Sequence, residues 1–114
     1  VPLVIDHCGW PTDLDPETLA IDTLCDLLAE GHIYVKLSAP YRLADDILQT
    51  HPLMRRLIGA NADHCLWGSD WPHIMLNGAT MPRAADLADD ITAITTAQER
   101  QKILCDNPNR LFLH

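Results

Sequence analysis

Apolar residues reach this chain in short runs that alternate with stretches of helical spacing. Leu3-Val4-Ile5-Asp6-His7 is β-branched, then polar, and soon meets Gly9. It predicts a buried parallel strand followed by a loop over 8–14. Asp15-Pro16-Glu17 predicts a helix start, with an acid as N-cap, proline at the first helical position and a second acid in the first turn. Leu19, Leu24, Leu27 and Leu28 supply an apolar stripe, and Gly31 ends the helix as a left-handed cap. Ile33 to Ser38 is the second strand, with two unlike faces. Ile33, Val35 and Leu37 suit a helix layer, whereas Tyr34, Lys36 and Ser38 look toward a site.

Past that strand, Pro40 and Arg42 are expected in a loop. Two short helices should follow, over 44–50 and 52–58, with Pro52 breaking the pattern between them. Gly59 to Asp63 then turn the chain into a third strand, Cys65-Leu66-Trp67, which becomes polar at Gly68-Ser69-Asp70 and is stopped by Pro72. Alternation places Leu66, Gly68 and Asp70 on one face, so the carboxylate should project from the strand's last position, with Gly68 clearing space beneath it. A loop over 71–82 is expected to fold over the site. Arg83 to Ile94 reads as a helix with Leu87, Ile91 and Ile94 on its apolar face. Thr96-Ala97-Gln98-Glu99 fits a capping box, so another helix should run to about Cys105. Asp106-Asn107-Pro108 should stop it.

Strand and helix in this alternation imply an α/β fold with a parallel sheet and right-handed crossovers, either an open doubly wound sheet or part of a (β/α)₈ barrel. No initiator Met precedes Val1, and the chain opens on a strand already under way, so a fragment of a larger domain is expected. Three strands cut from a barrel leave two open edges, an association hazard for the chain on its own.

Composition narrows the function. Eight basic against sixteen acidic residues, a net charge of −8, argue against a nucleic-acid surface. One well-placed arginine still suffices for a small anion. No apolar run is long enough to span a bilayer, and no signal-peptide pattern is present. The four cysteines, Cys8, Cys25, Cys65 and Cys105, show no paired spacing. They read as buried free thiols in a reducing compartment, so a cytoplasmic protein is expected.

All three strands end in a reactive group: His7, then Ser38 with Arg42 beyond it, then Asp70 with His73. Parallel strands bring those ends to one edge of the sheet, the edge where α/β proteins bind ligands. The blocks Val4-Ile5-Asp6-His7-Cys8-Gly9, Val35-Lys36-Leu37-Ser38 with Tyr41-Arg42, Gly68-Ser69-Asp70-Trp71-Pro72-His73, and Asp106-Asn107-Pro108 with Arg110-Leu111-Phe112 resemble the amidohydrolase-2 group of the amidohydrolase superfamily. Within it they are most similar to the branch of 2-pyrone-4,6-dicarboxylate lactonase and sulfomuconolactone hydrolase. The blocks occur in family order over essentially the whole chain, and Asp70-Trp71-Pro72-His73 is the most specific.

The resemblance implies a (β/α)₈ barrel in which Asp70 closes strand eight, so that residues 1–114 are the C-terminal portion, strands six to eight with their helices. The family's His-x-His pair on its first strand has no counterpart here. By resemblance, Asp70 is the general base that activates water, and His7 polarises the substrate carbonyl. Arg42 would clamp a substrate carboxylate. Lys36 or Arg42 would keep Asp70 ionised, with Lys36 an electrostatic partner rather than a nucleophile. His73 would hold Asp70 or touch substrate, and Tyr41 would line the pocket. No metal is needed in lactonase-like members. In metal-dependent relatives His7 and Asp70 would bind one divalent ion such as zinc.

The implied substrate is a carboxylate-bearing cyclic ester. Lactonase members often carry an arginine shortly after the Asp-His-x-Gly histidine, where this chain has Gly9-Trp10-Pro11. Trp10 cannot make that ion pair and suggests a flatter or less charged substrate. Ser38 has no base beside it in sequence and is not read as a nucleophile. His32, His51, His64 and His114 show no ligand spacing and read as surface or turn residues. Asp45-Asp46 and Asp86 to Asp90 read as solvated faces. A non-catalytic α/β binding module that merely keeps a polar strand edge is the alternative from another class.

Overall fold

The computed structural model describes residues 2–70 and 84–112. Three strands, β1 (Leu3–Ile5), β2 (Ile33–Ser38) and β3 (Cys65–Gly68), form a parallel sheet in the order β1-β2-β3. Val35 lies between Ile5 and Cys65, and Ser38 lies opposite Gly68. That register lines up Ile5, Val35 and Cys65 on one face and puts Lys36 beside Leu66 on the other. The apolar face of β2 packs on the helices: Ile33, Val35, Leu37 and Cys65 share one core with side chains from α1 (Leu19–Ala29), Leu53, Met54, Leu57, Ile58, Ile91 and Ile103.

The first helix begins later than its acids suggest. Asp15 to Thr18 form a turn in which the Asp15 carboxylate accepts from the Glu17 amide at 2.9 Å. Thr18 is the true N-cap, its hydroxyl accepting from the Ile21 amide at 3.3 Å. The buried stripe is accordingly Ile21, Cys25 and Leu28, while Leu19 stands 80% exposed and Leu27 is also exposed. Of the four predicted leucines, Leu28 is in the core and Leu24 packs against it, while Leu19 and Leu27 face outward and Ile21 and Cys25 complete the stripe. The C-terminal end matches its prediction. Gly31 has φ +78°, its amide donates to Leu28 at 3.0 Å, and the His32 amide donates to Leu27 at 3.2 Å. That is the Schellman pattern.

After β2 the chain makes one helical turn, α2 (Pro40–Leu43), where a loop was expected. Ala44 is extended, a 3₁₀ turn covers Ile47–Thr50, and α3 (His51–Ala60) carries Pro52 in its first turn. Pro52 thus opens a helix, and that helix takes in Gly59 and Ala60. The turn into β3 is a 3₁₀ segment, Ala62–His64. The third strand is followed at Ala84 by α4 (Ala84–Ala93), whose Leu87 and Ile91 are buried. The loop expected over 71–82, with His73, lies outside the described residues.

The capping box forms as expected at α5 (Ala97–Gln101): the Glu99 amide donates to the Thr96 hydroxyl at 3.1 Å, and the Thr96 amide donates to the Glu99 carboxylate at 3.0 Å. The helix does not stop at Asp106-Asn107-Pro108. A π-helical turn over Lys102–Asp106 carries it directly into α6 (Asn107–Phe112). Proline in the first turn of a new segment costs no backbone bond, and the widened turn before it absorbs the change in phase.

Asn107 explains why the chain continues there. It is fully buried, and its Nδ2 donates to the carbonyls of Ala62 at 2.7 Å and Cys65 at 2.8 Å. Arg110 adds a bond to the Asp63 carbonyl at 2.7 Å. Together they tie the last helix to the start of β3. Cys8, Cys25 and Cys65 are buried free thiols as expected, but Cys105 is exposed. Among the described residues, no helix is long and apolar enough to cross a membrane.

Candidate active site

The carboxyl ends of the strands bring His7, Ser38, Tyr41, Arg42 and Asp70 together. His7 opens a 3₁₀ turn just past β1, and its Nδ1 lies 2.7 Å from the Ser38 Oγ at the end of β2. Its Nε2 lies 3.6 Å from Asp70 Oδ1. The other carboxylate oxygen, Oδ2, accepts from Arg42 Nε at 2.9 Å and from the Tyr41 hydroxyl. Arg42 also sits over the Tyr41 ring, 5.6 Å from its centroid. The one-turn helix α2 puts Tyr41 and Arg42 side by side on the same oxygen. Trp10, more than half exposed, sets its ring edge-on against His7 with centroids 4.8 Å apart.

Asp70 is not the last residue of a strand. β3 ends at Gly68, and Asp70 has φ +58°, so a left-handed turn rather than strand alternation aims its carboxylate. The remaining described non-glycine residues with positive φ are His7 (51°), Cys8 (56°), Trp10 (51°) and Ala39 (51°). Each follows a strand's carboxyl end. Backbone of this kind costs about 1–3 kcal/mol per residue and persists only where surrounding contacts enforce it. Such strain is characteristic of binding and catalytic sites.

Burial opposes ionisation of Asp70, but hydrogen bonds from Tyr41 and Arg42, with the nearby charges of His7 and Arg42, outweigh it. The carboxyl is held below the ordinary aspartate value. Burial and the bond to Asp70 push the Tyr41 phenol up to about 12, so it remains a donor at neutral pH. The bond to Asp70 likewise raises Arg42. Oδ2 is therefore an anchored oxygen and Oδ1 the one turned toward His7.

Lys36 does not join this group. Its Nζ pairs with Asp6 Oδ1 at 2.9 Å, because its side chain runs along the sheet face and over Gly68. A β-carbon at Gly68 would lie 2.9 Å from Lys36 Cδ, so the glycine makes room for the lysine stem and not for Asp70. Ser38, expected at the site edge but not as a nucleophile, is a direct partner of His7, and only the strand register reveals that pairing. Two other histidines have definite partners. His51 Nε2 meets Asp90 Oδ1 at 2.5 Å, joining α3 to α4, which corrects the reading of Asp90 as part of a solvated face. The His64 ring stacks on Tyr34 at 4.2 Å. His32 is exposed beside Glu30, as a surface residue should be.

The amidohydrolase family profile (Amidohydro_2) matches residues 1–113. The chain belongs to the amidohydrolase family. It is 34% identical over 122 residues to 4-sulfomuconolactone hydrolase of Hydrogenophaga intermedia, an alignment covering 98% of this chain and 39% of that protein. A crystal structure of a Pseudomonas putida protein, assigned as a 2-pyrone-4,6-dicarboxylic acid hydrolase, superposes with a TM-score of 0.80 at 29% identity. That match covers 98% of this chain and 43% of the other. An amidohydrolase from Burkholderia multivorans solved with bound zinc gives a TM-score of 0.72 at 26% identity, over 96% of this chain and 43% of its own. This amidohydrolase chain thus spans about two fifths of the length of the relatives it matches.

A zinc-bound relative raises the question of a metal here. His7 Nε2 and Asp70 Oδ1 face each other closely enough to share an ion. Among the described residues, however, no group of three or more His, Cys, Asp or Glu side chains could hold one. A catalytic zinc takes three protein ligands. The described residues of this amidohydrolase do not by themselves make such a site.

Proposed function

We propose that the full-length protein carrying this chain hydrolyses a carboxylate-bearing lactone, and that the three strands are the last three, six to eight, of a (β/α)₈ barrel. The observation that carries the reading is the placement of Asp70: Oδ2 is anchored by Arg42 and Tyr41 while Oδ1 faces His7 Nε2 at 3.6 Å. The lactonase names of the relatives and the chain's coverage of them support it.

In this mechanism Asp70 Oδ1 takes a proton from water, and the resulting hydroxide adds to the lactone carbonyl carbon. His7, with its proton on Nε2, donates to the carbonyl oxygen as that oxygen gains charge. The tetrahedral intermediate then expels the ring oxygen, which receives the proton from Asp70. Arg42, whose Nε donates to Asp70, also binds the substrate carboxylate. Tyr41 keeps the base oriented. Trp10, lying against His7, offers a flat apolar wall where an ion-pairing arginine would favour a second carboxylate.

The test is Asp70→Asn in the full-length protein. Turnover of a carboxylate-bearing lactone should fall by on the order of 10³-fold, with circular dichroism and melting little changed. Full turnover in the variant would remove Asp70 from the role of general base, whereas a binding module would show no turnover in either protein. The zinc-bound relative favours a second reading, in which His7 and Asp70 contribute to a divalent metal site completed elsewhere in the protein. Stoichiometric zinc or manganese in the purified protein, with activity lost on its removal, would replace the first reading with that one.

A further inference from the structure

We propose that Ser38 is a positioning residue that donates its hydroxyl proton to His7 Nδ1 and so holds the imidazole proton on Nε2, facing Asp70 and the substrate carbonyl. This rests on the reading of His7 as the carbonyl-polarising group. A neutral imidazole carries one proton, and only the Nε2–H form can donate into the site. The Ser38 Oγ stands 2.7 Å from Nδ1, a full-strength hydrogen-bond distance. A hydroxyl can supply or accept a proton, so the choice is made at the opposite side of the ring. There the Asp70 carboxylate lies 3.6 Å from Nε2. A carboxylate favours N–H over a lone pair at that position, which leaves Nδ1 as the acceptor and Ser38 as the donor.

Several features keep the pair in place. Ser38 is 1% exposed, at the last position of β2 opposite Gly68, so its hydroxyl is withdrawn from competing water. Cys8, fully buried, packs the turn that carries His7 into the core shared with Val35 and Leu37 of β2. Trp10 holds the imidazole from its edge. The same burial argues against Ser38 as a nucleophile, because a substrate carbonyl could not reach Oγ. His7 Nε2, by contrast, faces the Asp70 carboxylate.

The test reads the tautomer directly. Long-range ¹H–¹⁵N spectra of the full-length protein, taken without substrate and above the imidazole's titration, should show His7 protonated at Nε2. In Ser38→Ala the two tautomers should mix, and kcat should fall about 10- to 100-fold, less than the loss of a whole acid–base contribution, while KM moves less than about threefold. Ser38→Thr keeps the hydroxyl and should restore both the spectrum and most of kcat.

A wild-type ring protonated at Nδ1 would overturn the proposal, and that result is available even if Ser38→Ala fails to fold. So would an alanine variant that keeps a pure Nε2–H ring and full kcat. An alanine variant with mixed tautomers and full kcat would sustain the assignment of the proton but end the polarising role of His7. The spectrum needs no turnover, so its failure is distinguishable from that of the Asp70→Asn test.

Discussion

Two histidines sit at opposite ends of the same sheet and differ in what their Nδ1 can do. At the amino end, His64 Nδ1 lies 2.9 Å from the Ile33 carbonyl, and the ring is stacked on Tyr34. A carbonyl only accepts, so His64 must be protonated on Nδ1, and its chemistry is settled by backbone. At the carboxyl end, His7 Nδ1 meets a hydroxyl, which adapts to whatever Nε2 faces. The amino end is further tied by Asn107 and Arg110 to backbone carbonyls. The carboxyl end holds every described non-glycine residue with positive φ. One end supplies rigidity, and the other spends it on a strained, convergent set of side chains.

The contrast can be tested crosswise. Asp70→Asn and Asn107→Ala should have opposite profiles. The first should remove about 4 kcal/mol of transition-state stabilisation, equivalent to a 10³-fold loss of turnover, with stability nearly intact. The second removes a fully buried amide that donates to the carbonyls of Ala62 and Cys65, and should cost about 2–4 kcal/mol of folding stability in urea titration. Equal effects of both variants on both measurements would erase the division between the two ends.

A smaller effect concerns pH. Because Asp70 is held below the ordinary value of 3.8, its paired ionised form stabilises the fold above that value. The stabilisation is lost as pH falls through the lowered folded pKa. The urea midpoint of the wild type should therefore drop more steeply below pH 3.8 than that of Asp70→Asn. Turnover limited by this base should likewise hold down to that region. An acid limb well above it would point to another essential group.

The smallest effect is expected at Gly68→Ala. The new methyl would press on the Lys36 stem at 2.9 Å, for a cost of about 1 kcal/mol. It should displace the largely exposed Lys36–Asp6 pair, which contributes little by itself. A loss of activity as large as that of Asp70→Asn would mean that Lys36 belongs to the site after all.

What the sequence determined by itself was whatever depends on near neighbours. The bounds of β2, the Gly31 cap, the Thr96 capping box and the parallel sense of the three strands were all legible from composition and spacing. So was the family, carried by blocks such as Gly68-Ser69-Asp70-Trp71-Pro72-His73. Tertiary structure decided the pairings. Lys36 chose Asp6 over Asp70, Tyr41 and Arg42 converged on one carboxylate oxygen, Ser38 found His7, and Asn107 reached back to the start of β3. Those partners lie about thirty or more residues apart in the chain. Nothing in their local spacing encodes the contact. It arises from strand register, and from left-handed turns that redirect His7 and Asp70 after the strands have ended.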